Sequence, residues 1–560
     1  MNNNKTELWD RTIGSILDEL AEKAPDKAAV IYNDRPYKRT WKEFNDECDR
    51  IARGLMALGV GKGDHVAIWA TNIPEWLLTF YATVKLGAVL VTVNTAYRVF
   101  ELQYLLAQSD TKVLVMGKGY RDTLYADIVN ELCPDLKSQN PEHLMLPMLP
   151  CLRSIVTVDE EKGVQAGMLG FSELYKRADS VPFEVYRALT ESLSSDEVIN
   201  MQYTSGTTGF PKGVMLTHKN ILNNGRFIGD NMKLSEKDRL CITVPLFHCF
   251  GMVLAMMACI SHGTSMVPVE YFQTVKTMSA ISEQKCTAVH GVPTMFIAML
   301  GHPDFDKYDF SHLRTGIMAG SPCPIKTMQE VIDRMGMREI TIVYGQTESS
   351  PGCTMSNADD TIEHKVATVG RDLPGCENKI VDLETGEKVP DGTPGEFCTR
   401  GYHVMSGYYK MPAATEQVID KQGWLHTGDI AVREPDGYYR ITGRAKDMII
   451  RGGENIYPKE IEDFLYTHPD ISDVQVIGVP SKKYGEEVMA FIILKPGRTL
   501  TEQQVKDYVA HNMARHKVPS YVAFVDEFPM TASNKIQKYK LRDMAVSMLH
   551  LETDAAVETA

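Results

Sequence analysis

No CxxC pair occurs among the 11 cysteines, which are odd in number and scattered along the chain. That argues against a disulfide framework and a structural zinc site, and fits reduced thiols in a cytosolic protein. Basic charge is in short supply: 59 Lys and Arg stand against 73 Asp and Glu, a formal net charge of −14. Such a chain lacks the basic surface that broad nucleic-acid binding requires, and any polyanion must be held by local groups against the global field. Long apolar runs are missing as well. The longest lies near Gly251–Ile260, too short to span a bilayer, and Met1-Asn-Asn-Asn-Lys5 has no apolar core of a signal peptide. The expectation is a soluble, cytoplasmic protein with no transmembrane segment and no nucleic-acid partner. What the chain does have is bulk: 560 residues, 44% of them hydrophobic, enough for a large core and more than one domain.

The most informative stretch is Tyr203-Thr-Ser-Gly-Thr-Thr-Gly-Phe-Pro-Lys-Gly-Val214. Gly206, Gly209 and Gly213 let the backbone come close to a ligand, so that successive N–H groups converge on an anion. Ser205, Thr207 and Thr208 add hydroxyls, and Lys212 adds a point charge. The reading is a loop that grips a polyphosphate; the plainer alternative is a flexible turn between two strand-like runs, Ile199–Tyr203 and Val214–Leu216. It is not the P-loop pattern, which needs Gly-Lys-Ser/Thr opening a helix, because Pro211 precedes the lysine and Gly213 follows it.

Before this loop the pattern alternates. Phe44, Ile51, Leu55 and Leu58 recur at roughly helical spacing over Trp41–Leu58. Gly59-Val-Gly-Lys-Gly63 follows a helix rather than a strand, so it reads as a helix end and a turn, not a dinucleotide fingerprint. A strand is predicted at His65–Trp69, a helix opened by Asn72-Ile-Pro74, with Asn72 as a cap and Pro near the first turn, and closed at Gly87, then a strand at Ala88–Val93, a helix at Glu101–Gln108 and a strand at Val113–Met116. Such alternation implies parallel sheet with helices on its faces. The segment Asn140–Pro150 reads as an irregular insertion, and Thr361–Thr442 as short strands and turns. From about 445 a separate pattern begins: a helix from Pro458, strands at Val474–Val479 and Met489–Leu494, and a helix at Glu502–Met513. The fold class is α/β, with a large N-terminal domain of parallel-sheet α/β subdomains plus a β-rich subdomain, and a small mobile C-terminal α+β domain. The boundary is placed between domains 1–444 and 445–560.

With the loop, four further segments bring a family into view: Tyr344-Gly-Gln-Thr-Glu348, Trp424-Leu-His-Thr-Gly-Asp429, Tyr439-Arg-Ile-Thr-Gly-Arg-Ala-Lys-Asp-Met-Ile449 and Ser533-Asn-Lys-Ile-Gln-Lys538. In order and spacing, over about residues 10–545, the chain resembles the adenylate-forming superfamily of acyl-CoA synthetases, luciferases and peptide-synthetase adenylation domains. Within that superfamily it looks like the medium-chain acyl-CoA synthetase branch. The resemblance implies ATP, Mg²⁺ and coenzyme A as cofactor and co-substrates. It implies ATP contacts from Thr204, Ser205, Gly206, Thr207, Thr208, Gly209, Phe210, Pro211, Lys212, Gly320, Ser321, Tyr344, Gly345 and Thr347. Ala319-Gly-Ser321 would form the adenine edge, although Pro322-Cys-Pro324 follows where many relatives carry Ala-Pro.

Glu348 suits a hard divalent cation bridging phosphates, with Thr347 on the phosphate. The resemblance puts Asp429 and Arg444 on the ribose, whose hydroxyls a short carboxylate can accept from; read alone, Asp429 would be a turn aspartate. Lys446 takes the hinge position, Gly452 and Gly453 the pantetheine path, and Lys535 swings in to contact the carboxylate and α-phosphate. Asn534 stands where most relatives have glycine, and asparagine tolerates the left-handed turn. Catalysis would then rest on Lys212, Lys535, Thr347 and Glu348 through positioning and charge.

Pro245–Gly251 and His290–Phe296 match segments that line the acyl pocket in relatives, which points to His248, Gly251, Met252, Val292 and Met318. His248 reads equally as a gate or as a satisfied imidazole. The expected activity is an ATP-dependent fatty acid–CoA ligase, AMP-forming, acting on a medium-chain acid. The alternatives are another acid or acyl acceptor, or a nucleotide-binding relative that has lost catalysis. Partners are small molecules, and a homodimer stays open.

Overall fold

The computed structural model describes residues 7–204, 211–320, 325–451, 454–481, 484–513, 515–530 and 536–551. The chain divides into two compact units, Met1–Asn378 with Thr399–Leu425, and Lys379–Cys398 with His426–Ala560.

The first unit is built on two mostly parallel sheets. One has eight strands in the order 407–408, 212–217, 198–204, 89–92, 65–69, 113–116, 154–157, 169–170. All are parallel except the hairpin pair 198–204 with 212–217 and the edge strand 407–408, which runs antiparallel to 212–217. The runs Val89-Leu-Val-Thr92 and Val113-Leu-Val-Met116 are buried along their whole length. Continuous apolar strands of this kind are what a sheet covered on both faces demands. The second sheet has seven strands in the order 339–341, 315–318, 288–291, 239–242, 265–268, 28–31, 38–40, parallel except for the last.

Local chemistry explains the covering helices. Trp41–Ala57 starts with a capping box, the Thr40 hydroxyl accepting from Glu43 N–H and the Glu43 carboxylate accepting from Thr40 N–H. It buries Trp41, Phe44, Ile51 and Leu55 on one face. Pro74–Lys85 starts on proline and ends beside Gly87 at φ +65°. Asn72, expected to cap this helix, does not: the cap residue is Ile73 and no side-chain bond closes the end. The Asn72 side chain is buried and donates to the carbonyls of Val244 and Val269 at 3.0 Å each, while it accepts from Leu246 N–H at 2.9 Å. It pins the chain leaving two strands of the seven-stranded sheet, which outweighs one helix cap because those backbone groups are themselves buried.

In the second unit, strands 395–401, 425–433 and 439–444 are neighbours in one sheet. A second sheet follows, with 454–456, 449–451, 485–494 and 471–481 in order and 521–524 pairing 485–494. Helix Pro458–Leu465 buries Ile461 and Leu465 against it.

Candidate active site

In the seven-stranded sheet, four adjacent strands carry the predicted residues on the segments just past their carboxyl ends. Strand 239–242 leads to Pro245–Gly251, strand 288–291 to Val292, strand 315–318 to Ala319–Gly320, and strand 339–341 to Tyr344–Glu348. Ligands of open α/β sheets bind at that end, where loops from neighbouring strands converge.

The phosphate-loop stretch has its anchors paired. Thr204 and Lys212 face each other across the hairpin of 198–204 and 212–217, and Pro211 O accepts from Tyr104 OH at 3.0 Å. Ser205, Gly206, Thr207, Thr208, Gly209, Phe210, Ser321, Gly452, Gly453 and Lys535 lie outside the described residues.

Glu348 sits on a short 3-10 turn, 347–349, and is 9% exposed. Its Oε1 accepts from Tyr408 OH at 2.8 Å and lies 3.4 Å from Thr204 Oγ1, and its backbone carbonyl accepts from Met405 N–H at 2.9 Å. The Lys212 ammonium stands 5.0 Å from the centre of the Tyr408 ring. Tyr408 therefore has the cation on its face and the carboxylate on its hydroxyl. Burial, then the negative charge of Glu348, raises the Tyr408 phenol well above its ordinary range, so it stays a donor. Thr347 is buried with Oγ1 3.8 Å from Cys249 Sγ. Tyr344 pairs with Thr354 in a short antiparallel sheet. Lys212, Thr204, Thr347 and Glu348 are thus brought together.

Sequence reasoning missed Tyr408. It reaches the site because its edge strand, 407–408, pairs with Val214 and Met215 just beyond Lys212. The only local signal was an aromatic pair, Tyr408-Tyr409, beside a glycine.

The apolar run expected to be too short for a membrane is a π-helix, Phe250–Met257, continued by Ala258–His262 and buried from Phe250 to Ile260. π-turns are rare and concentrate at functional sites. Gly251 packs so closely that a Cβ there would overlap the Pro245 carbonyl. Met252 is fully buried, with Gln202 Nε2 3.8 Å from its sulfur. His290 joins this helix to the sheet: Nε2 donates to Leu254 O at 2.9 Å, and Nδ1 accepts from Ile317 N–H at 3.1 Å. Burial lowers its pKa to about 4, so it is neutral at pH 7. His248 is half-buried, and its Nδ1 accepts from Phe250 N–H at 3.2 Å. Met318 is buried, and Gly320 adopts φ +93°, where a Cβ would lie 3.1 Å from Val292 Cγ1.

In the second unit, Asp429 lies on strand 425–433 rather than in a turn, directly opposite Arg444 on strand 439–444. Arg444 Nε is 3.0 Å from the Asp429 carboxylate, the aspartate side chain 8% exposed and the arginine 49%. The Thr427 hydroxyl donates to Phe397 O at 2.6 Å and accepts from Asp429 N–H at 3.1 Å, which fixes the backbone at Asp429. Lys446 is exposed on the 3-10 turn Ala445–Asp447.

The family model described as AMP-binding enzyme matches residues 17–409, and that of the AMP-binding enzyme C-terminal domain matches residues 460–535. The chain belongs to the AMP-binding enzyme family. It is 53% identical over 547 residues to the putative acyl-CoA synthetase YngI of Bacillus subtilis (strain 168), covering 98% of this chain and 99% of that protein. It is 40% identical over 552 residues to the mitochondrial medium-chain acyl-CoA ligase ACSF2 of Bos taurus, covering 97% and 89%. Among solved structures it is similar to the anthranilate CoA ligase AuaEII in complex with anthranoyl-AMP, with a TM-score of 0.82, 28% identity, and coverage of 98% and 100%. No helix among the described residues is long and apolar enough to cross a membrane.

Proposed function

We infer that this chain is an AMP-forming acyl-CoA ligase whose acid is a fatty acid of medium chain length. The carboxylate attacks the α-phosphate of ATP, giving acyl-AMP and pyrophosphate; the thiol of coenzyme A then attacks the acyl carbon, and AMP leaves. Both steps turn on developing negative charge, which preorganised cations and donors stabilise.

The observation that carries the reading is the assembly of Thr204, Lys212 and Glu348 about Tyr408, with Thr347 next to Glu348 on a segment that follows one of four parallel strands. Lys212 offers charge to the phosphates, Thr347 a hydroxyl, and Asp429 and Arg444 hold the ribose. The groups at Glu348 fit magnesium: a buried carboxylate with oxygen neighbours, the Thr204 and Tyr408 hydroxyls, at its Oε1 among the described residues. Glu348 would hold the ion, whose chemistry is to offset phosphate charge. Lys535 completes the adenylation site. The segment 445–560 turns about Lys446 between steps, withdrawing Lys535 and presenting Gly452 and Gly453 to the pantetheine arm. Exposure of Lys446 supports a turning point there.

A buried, methionine-rich π-helix supports an apolar acid, since methionine gives soft, adaptable walls. Reduced thiols at the ten described cysteines support the cytoplasm as the compartment. ATP–pyrophosphate exchange with a panel of acids tests the reading: exchange should depend on a medium-chain acid, and thioester should follow on adding coenzyme A. Exchange driven by an amino acid, or none with any acid, would overturn it.

A further inference from the structure

We propose that Glu396, Cys398 and His426 form a binding site for a borderline-soft divalent cation of the Zn²⁺ class, separate from the magnesium site at Glu348. Glu396 and Cys398 are two residues apart on strand 395–401, so they share one face of the sheet. His426 is on the neighbouring strand 425–433. Their ligand atoms lie within 4.8 Å of one another.

The contacts converge on one atom. His426 Nδ1 is 2.8 Å from Glu396 Oε2 and 3.4 Å from Cys398 Sγ, and that oxygen and sulfur are 4.0 Å apart. A Cys–His–carboxylate relay needs its two partners on opposite ring nitrogens, so this arrangement is no catalytic triad. Three different donor atoms around one point is instead the pattern of a metal corner. Tetrahedral zinc, with bonds of about 2.0–2.3 Å, sets ligand–ligand edges of roughly 3.3–3.6 Å. Shifts of a few tenths of an ångström bring the three observed edges to that geometry.

The donor set selects the ion. Thiolate, imidazole and carboxylate together favour zinc or cobalt over magnesium or calcium, which prefer all-oxygen shells. Cys398 is buried, whereas the His426 and Glu396 side chains are 33% and 15% exposed, so an ion enters from the histidine side. On binding, Cys398 releases its thiol proton, and Nδ1 presents its lone pair with the ring proton on Nε2; a water completes the shell. Glu396 Oε1 keeps its bond from Gly428 N–H at 3.0 Å, which holds the carboxylate in place as an outer contact should.

Cobalt titration of the full-length protein tests this. One equivalent of Co²⁺ should produce the visible bands of four-coordinate cobalt and a near-ultraviolet thiolate-to-cobalt band, both removed by one equivalent of Zn²⁺ and untouched by excess Mg²⁺. Cys398→Ser should abolish the thiolate band. His426→Gln, at a part-exposed position, should keep the band but weaken cobalt binding by at least about tenfold. Circular dichroism and thermal melting of both variants separate ligand loss from misfolding. No thiolate band in the wild type, or an undiminished one in well-folded Cys398→Ser, would overturn the proposal.

Discussion

Tyr408 donates a 2.8 Å hydrogen bond to Glu348 Oε1 across 60 residues of sequence. The carboxylate proposed to hold magnesium is therefore oriented by a phenol that cannot ionise in the working range. Removing that hydroxyl leaves the buried Glu348 with Thr204 at 3.4 Å as the neighbour on Oε1. Tyr408→Phe should lower pyrophosphate release about tenfold, and Glu348→Gln about a hundredfold, because the metal's main contribution is to transition-state charge. Both should move the magnesium requirement upward. Rates measured across a magnesium series decide it; a Glu348→Gln profile that superimposes on the wild type would remove the carboxylate from the metal site.

Lys535 is proposed to act in adenylation alone. Lys535→Ala should lose on the order of a thousandfold in acyl-AMP formation, the scale of deleting a group aimed at developing charge. Thioester formation from supplied acyl-AMP should stay largely intact. The two half-reactions are measured separately, and equal losses in both would refute the assignment.

Asp429 and Arg444 face each other at 3.0 Å, with the aspartate much the more buried. Asp429→Ala should raise KM for ATP by about tenfold or more, since lost hydrogen bonds to a ligand cost about 1–3 kcal/mol. Arg444→Ala added to it should do less than the two single effects combined, because the residues share one contact. Initial rates over an ATP range give both numbers, and strict additivity would separate their roles.

The acid is read from an apolar wall. Each buried methylene adds about 0.8 kcal/mol, so kcat/KM should climb from acetate into medium chains until the pocket is full. Hydroxylated and amino acids should be poor, since an unpaired polar group costs about 1–3 kcal/mol on burial. Straight-chain acids from two to sixteen carbons, about the span of common fatty acids, form the direct series. A maximum at acetate, or an aromatic acid above the whole series, would replace the fatty-acyl reading and leave the ligase chemistry standing.

Three buried histidines predict a pH limit. Burial lowers His290 to about 4 and both His218 and His403 to about 3. The unfolded chain therefore takes up protons that the folded one refuses once pH falls below about 6.5. Stability is full above that point and is lost as pH drops toward the folded values, by roughly 2 kcal/mol for each histidine at pH 5. Melting temperature should fall between pH 7 and 5, before ordinary carboxylates begin to titrate. A flat profile over that interval would contradict the burial of these rings as neutral groups.

Much of this protein was legible from local residues. Continuous Val/Leu/Ile runs demanded parallel strands buried on both faces, and the strands at His65–Trp69 and Val113–Met116 stand where the pattern placed them. Lys212, Thr347 and Glu348 could be proposed for the site because their motifs are contiguous, and a short segment carries its own chemistry. What tertiary structure alone decided lies in contacts with no local trace. Asn72 looks like a helix cap, yet it binds the ends of two strands some 170 to 200 residues away, because buried backbone groups there need partners. Tyr408 met Glu348 and Lys212 through the pairing of an edge strand. Cys398, one cysteine among 11, and Glu396 on the same strand met His426 only because two strands are neighbours. Residue types state which bonds each side chain is able to make; the sheet order, set by burial of the whole core, decides which of them it makes.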